Sequence, residues 1–195
     1  MGRLFQSFDE AWAYFLAREE PLEDFFDEFP AQEFQGEAWV IEPSAAVKRA
    51  AVELQRPLAG IDWLKPLPER FLHVTLPIPG TELRGKGPFD LEYRRVNCFH
   101  EAVVVEIAAP SLRAALPSTT FLPHLTLAIT TRKAPPRELR DVLINLREAR
   151  LGREIASEAI RITFPFSRER FSEPWTVRER VSLKPTPRGP ERPRS

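Results

Sequence analysis

The sequence predicts an α+β fold of two similar lobes around a shared cleft, on three observations. The pattern His-x-Thr-apolar occurs twice, at His73–Leu76 and His124–Leu127, 51 residues apart. Both copies sit in apolar, turn-bounded runs that read as strands. Helical periodicities and strand alternations interleave along the chain. The expected architecture is two pseudo-symmetric lobes, each a small, mainly antiparallel sheet with outer helices, enclosing a central cleft. Each lobe supplies one patterned strand to that cleft.

The elements follow in order. Ser7 with Glu10 is a capping-box pattern, and Phe8, Trp12, Phe15 and Leu16 recur at helical spacing, predicting a helix over 8–19. Pro21 opens a second, short helix with Phe25, Phe26 and Phe29 as its apolar face, closed by Pro30. Residues 36–43 read as a strand. Ser44 caps a helix from Ala45 to Arg56, stopped by Pro57, with Val47, Ala51 and Leu54 on one side. Residues 61–64 form a short strand, and Pro66-Leu67-Pro68 is a rigid loop into the first patterned strand, which Pro77, Pro79 and Gly80 end. A turn region over 80–88 precedes strands at 89–93 and 102–107. Ser111 caps a helix through Leu116. The second patterned strand covers 122–130, and Pro135 and Pro136 open a helix running to Arg150. Alternation over 160–166 and 175–183 gives the last strands. Residues 184–195 carry four prolines, three arginines and no large apolar side chain, and read as a disordered tail. The expected organisation is an acidic helical N-terminal extension over 1–35, a bilobal domain over 36–184 and a Pro/Arg-rich tail over 185–195.

Composition narrows the function classes. Net charge is zero, with 28 basic and 28 acidic residues, which argues against non-specific coating of nucleic acid. The distribution is uneven: residues 1–43 hold 2 basic and 11 acidic residues, whereas 132–195 hold 16 and 9. Attraction between the two ends of the fold accounts for this. The single cysteine, Cys98, excludes a disulfide framework and fits a reducing compartment. No apolar run is long enough to span a bilayer. A cytoplasmic monomer without membrane contact is expected.

The repeated pattern carries the chemistry. Side chains of a strand alternate between faces, so His73 and Thr75 share one face while Val74 and Leu76 share the other. His124 and Thr126 stand in the same relation to Leu125 and Leu127. A lone strand histidine is ordinarily structural; a matched pair in separate lobes is the equipment of acid–base catalysis near neutral pH. The two threonine hydroxyls are neutral donors for the oxygens of a phosphate. Facing bases suit in-line displacement at phosphorus, which needs an attacking and a leaving oxygen on opposite sides. Two histidines alone are short of the three or four protein ligands a zinc site takes, so no metal or other cofactor is expected. His100 lacks a threonine two positions on, is placed at a strand edge and is given no role.

With these motifs, His73-Val74-Thr75-Leu76 and Pro123-His124-Leu125-Thr126-Leu127, the sequence resembles the 2H phosphoesterase superfamily, and within it the 2′-5′ RNA ligase and cyclic phosphodiesterase branch. The resemblance covers residues 36–184. It implies a metal-independent cyclic phosphodiesterase acting on a 2′,3′-cyclic phosphate of a small nucleotide or RNA end, with His73, Thr75, His124 and Thr126 catalytic and a 2′-phosphate as product. Its alternatives are 2′-5′ ligation of RNA on the same residues, and a nucleotide- or RNA-binding module with little turnover. Members of that branch often carry a basic residue shortly after the second motif; here Ile129 holds the position and the nearest basic residues are Arg132 and Lys133. Phe71, placed to stack a base, and Arg70, Arg132 and Lys133, able to touch phosphate, are the candidate substrate-binding residues.

Overall fold

The computed structural model describes residues 4–28, 34–117, 121–166, 168, 170 and 173–185. Within them lie four α-helices and nine strands. All strand pairs are antiparallel, and hydrogen bonding runs through one sheet in the order β7-β4-β5-β6-β3-β1-β8-β9, with β2 on β6. The strands are β1 (Phe34–Ile41), β2 (Leu64–Pro66), β3 (Val74–Leu76), β4 (Phe89–Cys98), β5 (Ala102–Ala108), β6 (His124–Thr130), β7 (Arg150–Ala156), β8 (Glu158–Phe166) and β9 (Thr176–Ser182). The helices are α1 (Phe8–Ala17), α2 (Ala45–Gln55), α3 (Pro110–Ala115) and α4 (Arg137–Leu146). The order divides into matching halves of four strands, β7-β4-β5-β6 and β3-β1-β8-β9, so the two patterned strands meet at the centre. The mixed α+β class with antiparallel sheet and outer helices is as the sequence predicts.

One face of the sheet carries the main core. Val74, Leu125 and Leu127 are fully buried there, packed with α2 residues Val47 and Ala51 and α4 residues Leu139 and Leu143. Burying side chains of this size is worth roughly 1.5–3 kcal/mol each, which fixes the register of both patterned strands. Ser44 caps α2 by accepting from the Val47 amide at 3.4 Å, and Ser7 caps α1 by accepting from the Glu10 amide at 3.1 Å. Each cap contributes about 1 kcal/mol. The Glu10 carboxylate reaches back to the Gln6 amide at 2.8 Å instead of the cap residue's own.

The acidic N-terminal segment is packed against later elements. Asp9 pairs with Arg95 at 3.1 Å and lies 3.8 Å from Arg147, whose guanidinium sits over the Trp12 ring. Asp24 meets Arg168 at 2.6 Å and Asp27 meets Lys133 at 3.5 Å. The uneven charge along the sequence thus becomes local pairing in space. Glu106, 1 % exposed, is held by Asn97, Arg95 and Arg147 beneath α1.

Several local expectations are corrected. Pro21 opens no helix: Leu22 bridges to Ala134, and a 3-10 turn covers only Phe25–Glu28, while Phe29 and Pro30 lie outside the described residues. The short strand sits at 64–66 and not 61–64, because the amides of Ile61 and Leu64 close turns onto Leu58 and Ile61. Pro110 starts α3 behind Ala109, so Ser111 is inside the helix and caps nothing. The strand expected at 89–93 runs on to Cys98 across a bulge where Arg95 takes φ 56°. α4 stops at Leu146, and residues 150–156 form the edge strand β7, which was not anticipated. The first patterned strand begins at Val74, after a 3-10 turn over Glu69–Phe71. His100 is in the β4–β5 turn, buried and stacked on Phe5 at 5.0 Å. Of the proposed tail, residues 186–195 lie outside the described residues. Among the described residues, no helix is long and apolar enough to cross a membrane.

Candidate active site

The face of the sheet opposite the main core opens into a cavity of ≈470 Å³. His73, Thr75, His124 and Thr126 all line it. The strands bring them together simply: β3 and β6 pair with Val74 opposite Leu125. Stepping one residue either way in an antiparallel register sets His73 across from Thr126 and Thr75 across from His124. The apolar members of each motif point to the core and the polar members to the cavity, as period-two alternation requires.

Both imidazoles are held by the same device. The His73 Nδ1–H donates to the Phe71 carbonyl at 2.7 Å, and the His124 Nδ1–H donates to the Leu122 carbonyl at 2.8 Å. In each case the acceptor is two residues earlier in the chain. This bond fixes the neutral tautomer with a lone pair on Nε2. The His73 Nε2 accepts from the Thr75 hydroxyl at 3.1 Å. Each ring also has an aromatic neighbour edge-on: Trp175 lies 5.3 Å from His73 at 76°, and Phe99 lies 5.0 Å from His124 at 80°. Trp175 in turn packs on Phe71 at 5.3 Å.

Electrostatics separates the two. Burial lowers the pKa of both histidines, against the carbonyl bonds, which raise it. His73 is additionally lowered by the positive charge of His124 and by Lys48 of α2. These two charges disfavour the protonated form of His73 in addition to burial. Lys48 is itself tied to Glu42 at 2.5 Å.

Behind the site, the Gln55 amide donates to the Leu67 carbonyl at 2.8 Å and to the Leu127 carbonyl at 2.7 Å. The end of α2 thus joins the loop leading to His73 with the strand carrying Thr126. Gln55 is 6 % exposed, and losing it would leave a buried carbonyl short of a donor at a cost of about 1–3 kcal/mol. The sequence signal for it was a polar residue at the end of the buried stripe Val47, Ala51, Gln55.

The other candidates fall in different places. Phe71 lines the cavity, but its ring is buried against Trp175. Arg70 lies over the Phe71 ring, 4.8 Å from its centre. Arg132 makes two bonds to Asp62, at 2.8 and 2.9 Å, and Lys133 pairs with Asp27. None of Arg70, Arg132 and Lys133 is among the residues lining the cavity. Ile129 does line it, as do Phe25, Phe99 and Trp175, which come from distant parts of the chain and were not singled out for the site. Among the described residues, no group of three or more His, Cys, Asp and Glu side chains is placed to hold a metal ion. The arrangement can abstract one proton, deliver another and donate hydrogen bonds to an oxyanion between them.

No protein-family model matches the sequence, and a search of characterised proteins gives no match. Solved structures do match. TT0787 of Thermus thermophilus superposes with a TM-score of 0.56 at 19% identity, over 78% of this chain and 99% of its own. E. coli LigT complexed with 3′-AMP gives 0.50 at 17% identity, over 77% and 98%. ATU0111 of Agrobacterium tumefaciens, a conserved protein of unknown function, gives 0.53 at 13% identity, over 91% and 100%. Over nearly the full length of those proteins, the chain has a LigT-like fold.

Proposed function

We propose that this chain is a phosphodiesterase that opens a 2′,3′-cyclic phosphate, with His73 as general base and His124 as general acid. The observation that supports it best is the duplicated tether: both rings are held through Nδ1 to the carbonyl two residues back, which turns both Nε2 atoms to the cavity side, that of His73 beside the Thr75 hydroxyl. In the reaction, His73 Nε2 takes a proton from water as the water oxygen attacks phosphorus. The bond from phosphorus to O3′ breaks in line with that attack, and O3′ receives the Nε2 proton of His124. A 2′-phosphate remains. Thr75, turning its hydroxyl from His73 Nε2 to the substrate, and Thr126 donate to the non-bridging oxygens, strengthening as charge builds there. The assignment of roles rests on Lys48, whose charge opposes protonation of His73, while the mutual repulsion of the two rings favours a single proton in the site.

Hydrolysis of adenosine 2′,3′-cyclic phosphate, followed with and without EDTA, tests this reading. Turnover to the 2′-phosphate, unchanged by EDTA, is expected, because side chains supply both proton transfers. Loss of activity in EDTA with recovery on adding a divalent ion would overturn the two-histidine mechanism. Joining of RNA halves without hydrolysis would assign the same residues to ligation, and nucleotide binding without turnover would make the chain a binding module.

A further inference from the structure

The cavity has a wall that belongs to neither patterned strand. Phe25, from the segment 22–28, is in its lining, packed with Ala102, Val104 and Ile129. The segment is pinned at several points. The Leu22 amide donates to the Ala134 carbonyl at 2.8 Å, and the Glu23 amide to the His100 carbonyl at 3.1 Å. The Thr130 hydroxyl donates to the Glu23 carbonyl. Asp24, 7 % exposed, accepts from the Phe26 amide at 3.0 Å through one oxygen and holds Arg168 at 2.6 Å through the other. Arg168 follows β8, in the opposite half of the sheet, and its guanidinium also covers the Phe26 ring at 4.8 Å. The segment therefore bridges the two halves on one side of the cavity.

The lining has a second character. Among the described residues that form it, no lysine or arginine appears; the charged ones are Glu37, Glu101 and Glu173. Arg161 and Arg170, which pair with two of these carboxylates, are engaged with Glu37 at 3.2 Å and Glu173 at 2.7 Å. A nucleic acid strand is normally held by lysine and arginine on successive phosphates. A phosphate at the patterned strands would meet two imidazoles and two hydroxyls, while the rest of the lining offers aromatic rings and carboxylates. The volume, ≈470 Å³, is that of a small-molecule site.

Resting on the phosphodiesterase reading, we propose that residues 22–28, with Phe25 at the cavity, are a specificity wall that confines the site to a singly charged phosphodiester on one nucleoside and excludes an RNA strand continuing beyond it. Phe25 is the specificity-determining residue, and Asp24 with Arg168 positions it.

The experiment compares adenosine 2′,3′-cyclic phosphate with a five-nucleotide RNA ending in the same cyclic phosphate. The wild-type protein is expected to favour the mononucleotide at least tenfold in kcat/KM. Phe25→Ala should shrink that ratio, chiefly by improving the RNA. Arg168→Ala, which alters an exposed side chain outside the cavity lining, should shrink it less and without disturbing the fold by circular dichroism. A wild-type ratio near one or favouring RNA overturns the proposal, and so does a ratio that neither variant changes. If neither substrate turns over, the phosphodiesterase reading fails, and the wall is then judged by calorimetric binding of adenosine 2′-monophosphate and a 2′-phosphorylated pentanucleotide. Tighter binding of the mononucleotide, relieved by Phe25→Ala, supports the wall; equal binding, or none of either, overturns it.

Discussion

β3 and β6 carry the same four-residue pattern but are built differently. β6 is seven residues long, with β5 along one edge and β2 and β3 along the other. β3 is three residues long and meets β6 at one registered pair. His124 stands at the start of the long strand beside Phe99, which also contacts the α1 cluster. His73 stands just outside the short one, between a 3-10 turn and Trp175 from near the other end of the chain. Lys48 acts on His73 and not on His124. The lesson is that a repeated motif gives the same Nδ1 tether twice, while unequal surroundings put different rings and charges around the two imidazoles. Acid–base catalysis needs both features.

The largest effect expected is from removing either ring. His73→Ala and His124→Ala should each lower kcat by about 10²–10⁴, measured on a 2′,3′-cyclic mononucleotide. Both rings face the cavity, so the melting temperature should change little. If one variant kept near-wild-type turnover, the comparison would collapse to a single catalytic histidine.

The hydroxyls come next. Thr75→Val and Thr126→Val preserve shape and remove one donor each, and a loss of about 10–10² in kcat is expected, at or below the usual effect of an oxyanion donor. Thr75 also donates to His73 Nε2. Its loss should therefore disturb the pH profile as well as the rate, whereas Thr126→Val should change the rate alone. Equal pH behaviour in the two variants would remove that distinction.

Much of this site was legible in the sequence, and the reason is local. Period-two alternation puts His73 with Thr75 and His124 with Thr126 whatever surrounds them. The caps Ser7 and Ser44 were legible for the same reason: they bond within three residues of themselves. β7 escaped because it is an edge strand whose Ile155 is 62 % exposed, so no apolar run marks it. Phe25, Phe99 and Trp175 reach the cavity only through tertiary packing, and isolated aromatics in sequence give no hint of a shared destination. The pairing of Arg132 with Asp62 and of Lys133 with Asp27 was likewise invisible, since neither partner is near in sequence.

The pH profile sharpens the comparison further. In the proposed mechanism the active form has His73 neutral and His124 protonated. The acid limb of kcat/KM then follows His73 and the alkaline limb follows His124. Burial lowers both pKa values in the free site, so the kcat/KM optimum should fall below the free imidazole value of about 6.5. A bound phosphate anion favours His124 in its charged form and raises its pKa. The alkaline limb of kcat should therefore lie at higher pH than that of kcat/KM. Coincident limbs would show that the substrate's charge does not reach the acid.

The smallest effect isolates Lys48. Its ammonium opposes protonation of His73, so Lys48→Met should raise the His73 pKa and move the acid limb of kcat/KM to higher pH by a few tenths of a unit. The alkaline limb should stay in place, because His124 is not lowered by Lys48. Glu42 gives the opposite sign. It is paired with Lys48 at 2.5 Å and partly offsets that charge. Glu42→Gln leaves the ammonium uncompensated, which should lower the His73 pKa and move the acid limb to lower pH. A general loss of stability in either variant would lower the whole profile without moving its limbs. Opposite displacements of one limb, with the other fixed, require a charge acting on His73 alone. If both substitutions moved the alkaline limb instead, the roles of His73 and His124 would have to be exchanged.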